Sequence, residues 1–214
     1  PPMPELPEVE TVRKGLAHFL TGYTFRTAQD LHPRVLKPAS NAPLRAVSGA
    51  RIKGINRRGK FLWFELDRDQ ALVAHLGMSG QFLVARKDRP EPGHVRARFA
   101  LKKGLKSHEL VFSDQRTFGW LSVEELTDGV PTSALHIAVD PFDPAFDRDA
   151  VIAKMKSRKA AIKSVILNQE IMSGVGNIYA DESLWRAKIH PEIAASDLSV
   201  KKIGSLVDAA IEVM

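Results

Sequence analysis

The stretch KAAIKSVILNQEIMSGVGNIYADESLWRAKIHP, residues 159–191, decides how the second half of this chain folds. KAAIKSVILNQE carries apolar residues at helical spacing, and NIYADESLWRAKI does so again. Between them MSGVG sets Gly174 and Gly176 close together. The pattern predicts a helix, two tight turns and a second helix, with the glycines permitting a compact path. Backbone N–H groups at the start of the second helix, together with Asn177, can cradle a phosphate. Lys159 and Lys163 add positive charge suited to a phosphate backbone.

Further helices extend from this unit on both sides. DAVIAKMKS and SVKKIGSLVDAAIEVM have helical periodicity, and Asp147 and Ser199 suit N-cap or near-cap positions. Upstream, DPFDPAFD (residues 140–147) interrupts regular structure with its prolines and reads as a linker. The last helix reaches Met214 with no Gly, Asn or Pro to end it, so a further C-terminal portion is expected. Residues 148–214 thus read as a helical domain, and residues 1–139 as a separate one.

The N-terminal half has a different rhythm. PEVETVRKGLAHFL reads as an amphipathic helix with Val9, Val12, Leu16, Phe19 and Leu20 near one face, and Gly22 as its stop. The prolines before it predict that the helix begins no earlier than about Glu8. RIKGINRRG, KFLWFELD, ALVAHLGMSGQFLV, VRARFALKKG and ELVFSDQRTFGWLSV then read as strands joined by Gly, Asp and Lys turns. The fold class expected is α+β: an N-terminal β-sandwich with a flanking helix, followed by a helical domain.

Composition narrows the function. The chain of 214 residues carries a formal net charge of +6, with a pI near 9.6. That balance suggests a polyanionic partner, nucleic acid first. The absence of cysteine excludes disulfides, iron–sulfur clusters and thiol-rich zinc sites within these residues. No apolar run is long enough to span a membrane and no secretory signal is visible, so no membrane association and a cytoplasmic location are expected.

Four shorter constellations carry possible chemistry. Pro4 precedes Glu5 and Glu8. If Met3 is the natural start and is clipped, with Pro1 and Pro2 as additions ahead of it, Pro4 becomes a terminal secondary amine. Such an amine can attack a sugar carbon while a neighbouring carboxylate moves the proton. The plainer reading makes Glu5 and Glu8 carboxylates favoured by a helix N-terminus. In NRRGKFLWFEL, Lys60 follows a basic turn at a sheet edge, where it can meet a phosphate, carry a proton or simply be solvated. In HLGMSG, His75 and Met78 flank Gly77 in a Gly-rich hairpin, and Met78 either wedges into a base stack or tucks back into the sandwich. In SDQRTFGW, Arg116 and Phe118 alternate on a turn, a pair able to open a base step or to close a strand end.

Together PELPEVET, RRGKFLWFEL, HLGMSG, DQRTFG and GVGNIYADESLW occur in the order and spacing of the formamidopyrimidine-DNA glycosylase / endonuclease VIII family, which this chain resembles over nearly its whole length. The resemblance implies a base-excision-repair enzyme acting as a monomer on double-stranded DNA that contains oxidised bases or abasic sites, in a bacterial, nucleoid-associated setting. Its helical domain would carry a helix–two-turn–helix motif. By this resemblance Pro4 is the nucleophile at deoxyribose C1′, Glu5 the proton donor that opens the sugar, and Glu8 a supporting carboxylate. Lys60 serves base excision and the following elimination. Met78, Arg116 and Phe118 fill the gap left by the flipped nucleotide. His75, His94, Arg116, Lys159 and Asn177 fall at DNA-contacting positions. HLGMSG and the Arg116/Phe118 pair favour the oxidised-purine branch over the oxidised-pyrimidine one.

The chain departs from the family pattern twice. Pro4 is preceded by Met3, which makes its nitrogen an amide unless processing exposes it; unprocessed, the expectation is a lesion- or abasic-site-binding fragment without catalysis. The family's four-cysteine zinc finger has no counterpart in this sequence, so no cofactor is expected here and zinc is expected only in the full-length family member.

Overall fold

The computed structural model describes residues 4–86 and 88–214. The expectation for Pro1–Met3 lies outside the described residues. The structure is mixed α+β and divides into two compact units. Pro4, Glu8–Arg57 and Phe61–Leu135 form the β-rich one. Glu5–Pro7, Arg58–Lys60 and His136–Met214 form the helical one. The division falls at Leu135/His136 rather than at 139/140. Residues 140–147 fall within the helical unit and are turned rather than extended. Asp140 and Asp143 side chains accept from the N–H groups of Phe142 and Ala145, two residues on, and Phe146 packs on the helical core.

The β-rich unit opens with α1 (Leu6–Leu20) and carries strands β1 (Thr24–Asp30), β2 (Ile52–Arg58), β3 (Phe61–Leu66), β4 (Gln70–His75), β5 (Gly80–Val84), β6 (Val95–Lys103), β7 (Lys106–Asp114), β8 (Trp120–Thr127) and β9 (Val130–Pro131). They form two sheets, in the orders β1-β6-β7-β5 and β2-β3-β4-β8-β9. The period of two in β3 explains the layering. Leu62, Phe64 and Leu66 join Phe25, Phe99 and Phe112 in the main core. Trp63, between them, faces the other way and packs with Ala71, Val73 and Ala134. A strand buried on both faces reads as a near-continuous apolar run, as FLWF does.

Several elements differ from the sequence expectation. α1 starts at Leu6 and includes Pro7, because a first-turn residue has no intrahelical partner for its N–H, so proline is tolerated there. Phe19 does not join the core: it is 55% exposed, while Val9, Leu16 and Leu20 are buried. β1 and β9 escape the pattern; TFRTAQD buries only Phe25 and Ala28 among polar neighbours and becomes a strand by pairing antiparallel with β6. ALVAHLGMSGQFLV is no hairpin, since β4 and β5 belong to different sheets and HLGMSG is a crossover between them.

The helical unit contains α2 (Arg148–Lys156), α3 (Ile162–Ile166), α4 (Asn177–Ala187) and α5 (Val200–Val213) around a core that includes Met155, Ile166, Met172, Leu184 and Leu206. Asp147 and Ser199 cap α2 and α5 by accepting from the N–H groups of Ala150 and Lys202. α3 is far shorter than KAAIKSVILNQE suggests. Its continuation is pre-empted at Gln169, whose side-chain amide donates to the carbonyls of Leu167 and Val175 at 2.8 and 2.9 Å and whose oxygen accepts from the N–H of Gly174 at 2.8 Å. Among the described residues no helix is long and apolar enough to cross a membrane.

α1 is fastened to β2 by an ion cluster. Arg57, with only 8% of its side chain exposed, meets Glu10 at 3.3 Å, and Arg13 bonds both Glu10 and the carbonyl of Ile55. Burial works to raise the Glu10 pKa, but the Arg13 hydrogen bond and the charges of Arg57 and Arg13 outweigh it and hold the carboxyl below its ordinary value. A depressed folded-state pKa stabilises the fold above the unfolded-state value, and that contribution is lost as pH falls through the folded-state value. Glu10→Gln is therefore expected to lower stability by about 1–3 kcal/mol at neutral pH. The gap from the parent should close as the solution is acidified, as followed by urea melts at a series of pH values.

Candidate nucleic-acid interface

In the helical unit the two-turn segment is built around Glu5. This side chain is 3% exposed, and its carboxylate accepts from the N–H groups of Gly176, Ile178 and Tyr179, the last two at 3.1 and 3.3 Å. These are the orphan donors at the start of α4. These three are engaged within the chain. The anion seated at that helix end is the chain's own carboxylate. The Leu6 N–H bonds the Gly174 carbonyl at 3.0 Å, so the segment next to Pro4 runs along the two turns. Gly174 has φ +103, and a Cβ there would come within 2.9 Å of Leu6 Cβ.

Lys60 belongs to the same unit. Its turn sits on the two-turn segment so closely that a Cβ at Gly59 would lie 2.7 Å from Ser173 Cβ. Asn177, the first residue of α4, is exposed, as is Lys159. Lys163, expected to add charge for a phosphate backbone, pairs with Asp181 at 2.8 Å. Pro4 is half-buried, and Glu8 is exposed in the first turn of α1.

In the β-rich unit a second group assembles at one end of the sandwich. The β4–β5 crossover carries Met78, the β7–β8 crossover carries Arg116 and Phe118, and the loop entering β6 carries His94. Arg116, Phe118 and His94 are exposed and Met78 is half-buried. His94 and Thr117 have φ near +60. The two crossovers touch backbone to backbone: a Cβ at Gly77 (φ +58) would fall 2.6 Å from Gly119 N. His75 lies just behind. Its ring stacks on Trp120 and meets Phe61 edge-on, and its Nδ1 accepts from the N–H of Gly77 at 3.0 Å.

Sequence reasoning passed over two residues that hold these groups in place. Gln169 closes the two turns from within, and nothing in NQE marks it. Asp114 is fully buried and accepts from Ser79 Oγ at 2.6 Å and from the backbone N–H groups of Arg116, Thr117 and Gly119 at 3.2, 3.1 and 2.7 Å. An Asp opening a turn is a readable signal, and SDQR carries it. Among the described residues no group of three or more His, Asp or Glu side chains is placed to hold a metal, and the chain has no cysteine. The described residues do not fit a zinc site.

Comparison with known proteins places this arrangement. The family model for the formamidopyrimidine-DNA glycosylase N-terminal domain matches residues 3–121, and the model for that family's H2TH domain matches residues 137–214. The formamidopyrimidine-DNA glycosylase of a Nocardioides species is 46% identical over 215 residues, covering 99% of this chain and 73% of that protein. The one from Acidothermus cellulolyticus is 49% identical over 200 residues, 92% of this chain and 70% of that protein. A structure of MutM in complex with DNA containing carbocyclic 8-oxo-G aligns at TM-score 0.83 with 33% identity, covering 98% of this chain and 79% of that one. The Lactococcus lactis enzyme bound to FAPY-dG-containing DNA aligns at TM-score 0.82 with 33% identity, covering 98% and 78%.

A β-sandwich with paired crossover loops, together with a helix–two-turn–helix unit, defines a DNA-repair glycosylase. The chain belongs to the formamidopyrimidine-DNA glycosylase family.

The seat of Glu5 depends on Gly174. Gly174→Ala forces a side chain into Leu6 at a left-handed backbone position, with an expected loss of about 2–4 kcal/mol. A thermal melt of the variant beside the parent checks this.

Proposed function

We propose that this chain, once its Pro4 nitrogen is a free secondary amine, excises oxidised purines such as 8-oxoguanine and formamidopyrimidines from double-stranded DNA and then nicks the abasic strand. The observation that carries this reading is the fixed position of Glu5. An acid locked by three backbone N–H groups stands next in sequence to the amine. Support comes also from the solved relatives, whose DNA contains carbocyclic 8-oxo-G, FAPY-dG or an abasic site.

The chemistry follows from these groups. The lesion leaves the stack, because its sugar cannot be reached within the duplex. Met78, Arg116 and Phe118 occupy the vacancy, and His75, His94, Lys159 and Asn177 meet the backbone. The Pro4 lone pair forms a bond to C1′ and the C1′–base bond breaks, the base departing with a proton. The Glu5 carboxylate takes the proton from the Pro4 nitrogen and passes it to the ring oxygen, which opens the sugar and leaves an iminium at C1′. Loss of a C2′ proton then expels the 3′ phosphate, and a second elimination expels the 5′ phosphate. Lys60 moves protons in base loss and in the first elimination, and Glu8 supports the sugar-opening carboxyl.

Borohydride reduces an iminium to a stable amine. The protein beginning at Pro4 is therefore expected to be trapped covalently on a duplex containing 8-oxoguanine. Absence of a trap together with absence of nicking sinks the enzymatic reading, and tight binding to an abasic site without nicking assigns a binding role instead. Glu5→Gln keeps an oxygen for the Gly176 and Tyr179 N–H groups, leaves that of Ile178 facing an amide, and cannot relay the proton, so base excision is expected to fall about 10²–10⁴-fold, with a cooperative thermal melt checking that the variant folds.

A further inference from the structure

We propose that Asp114 is a positioning residue whose carboxylate locks two crossover loops into one preformed wedge, so that Met78, Arg116 and Phe118 enter the base stack without first being ordered by DNA. The inference rests on the functional reading above and deepens it.

The carboxylate sits where the β4–β5 and β7–β8 crossovers converge. Oδ1 accepts from Ser79 Oγ, next to Met78, and from the N–H groups of Arg116 and Thr117. Oδ2 accepts from the N–H of Gly119, next to Phe118. Ser79 Oγ in turn accepts from the N–H of Arg116 at 3.1 Å, which joins the two loops a second time. The Asp114 backbone reaches a third loop: its N–H donates to the His94 carbonyl at 3.0 Å, and its carbonyl accepts from Arg96 Nε at 2.9 Å.

Four donors converge on two oxygens of a side chain with no exposed surface, while the side chains of Arg116 and Phe118 project into solvent. The backbone is held and the probing side chains are left uncommitted. Loops that must open a base step lose less affinity to ordering when they are already ordered. Asparagine has the size of aspartate but only one acceptor oxygen. Its amide nitrogen would face donor N–H groups on one side or the other, leaving at least one of them unpaired.

The test uses the full chain and needs no catalysis. A duplex carries a tetrahydrofuran abasic analogue opposite 2-aminopurine, whose fluorescence reports intrusion into the stack; a single strand carries the same analogue and has no stack to fill. For Asp114→Asn, the duplex Kd is expected to rise about 10-fold or more and the fluorescence change to be lost, with single-strand affinity held within about 2-fold. In a Met78→Ala/Phe118→Ala background, which has no wedge to position, Asp114→Asn is expected to add nothing. An Asp114→Asn protein that binds and reports as the parent does overturns the proposal, as does one weakened equally on both DNAs or further weakened in the wedgeless background. If Asp114→Asn shows no cooperative melt, Ser79→Ala takes its place. It removes one donor and leaves the carboxylate, and a duplex-only loss of about 3-fold is expected; no loss, or an equal loss on both DNAs, overturns the proposal. A parent that neither binds the abasic site nor changes the fluorescence removes the functional reading itself, and this proposal with it.

Discussion

A carboxylate taken out of water must find donors, and that requirement shapes both units of this protein. An unsatisfied buried charge costs several kcal/mol, more than most single interactions contribute. Glu5 and Asp114 are both almost wholly buried, and each meets the requirement with backbone N–H groups that no secondary structure has used. Glu5 takes the free donors at the start of α4. Asp114 takes those of the loop between β7 and β8. In both places the donors lie within segments that carry proposed site residues, so satisfying the buried charge also fixes the site.

The rest of each unit supplies a rigid mount. The β-sandwich packs Phe25, Phe64, Phe99 and Phe112 into one core, and the ends of β4, β7 and β8 hold the crossover loops. The helical unit closes its two turns through Gln169, which bonds three backbone groups across the segment. Sites carried on loops gain definition when the loop ends are tied to such elements and the interior is tied to a buried polar hub.

The relation to the formamidopyrimidine-DNA glycosylases extends through both units, since separate family models match residues 3–121 and 137–214. At 33% identity the solved relatives still superpose at TM-scores above 0.8. Most substitutions between them therefore leave the frame intact, as expected where burial and turn chemistry, rather than particular surface residues, specify a fold.

Much was legible in the chain itself. The short apolar run FLWFEL, the period of two in VRARFAL and the helical spacing of IGSLVDAAIEVM announced the two architectures, because side-chain direction follows from backbone geometry alone. Asp147 and Ser199 marked helix starts, since a cap acts on its immediate neighbours. The proposed site residues stood out as types and motifs: Pro4, Glu5, Lys60, Met78, Arg116 and Phe118. Where the outcome depended on residues distant in sequence, local pattern was silent or misleading. β1 is a strand only because β6 lies beside it. α3 stops early because Gln169 bonds across a loop. Three N–H groups at the start of α4 are taken by Glu5, more than 170 residues earlier in the chain. Hydrogen bonds and packing across such separations exist only once the chain has folded, and it was there that the tertiary structure decided which groups are held and which are left to act.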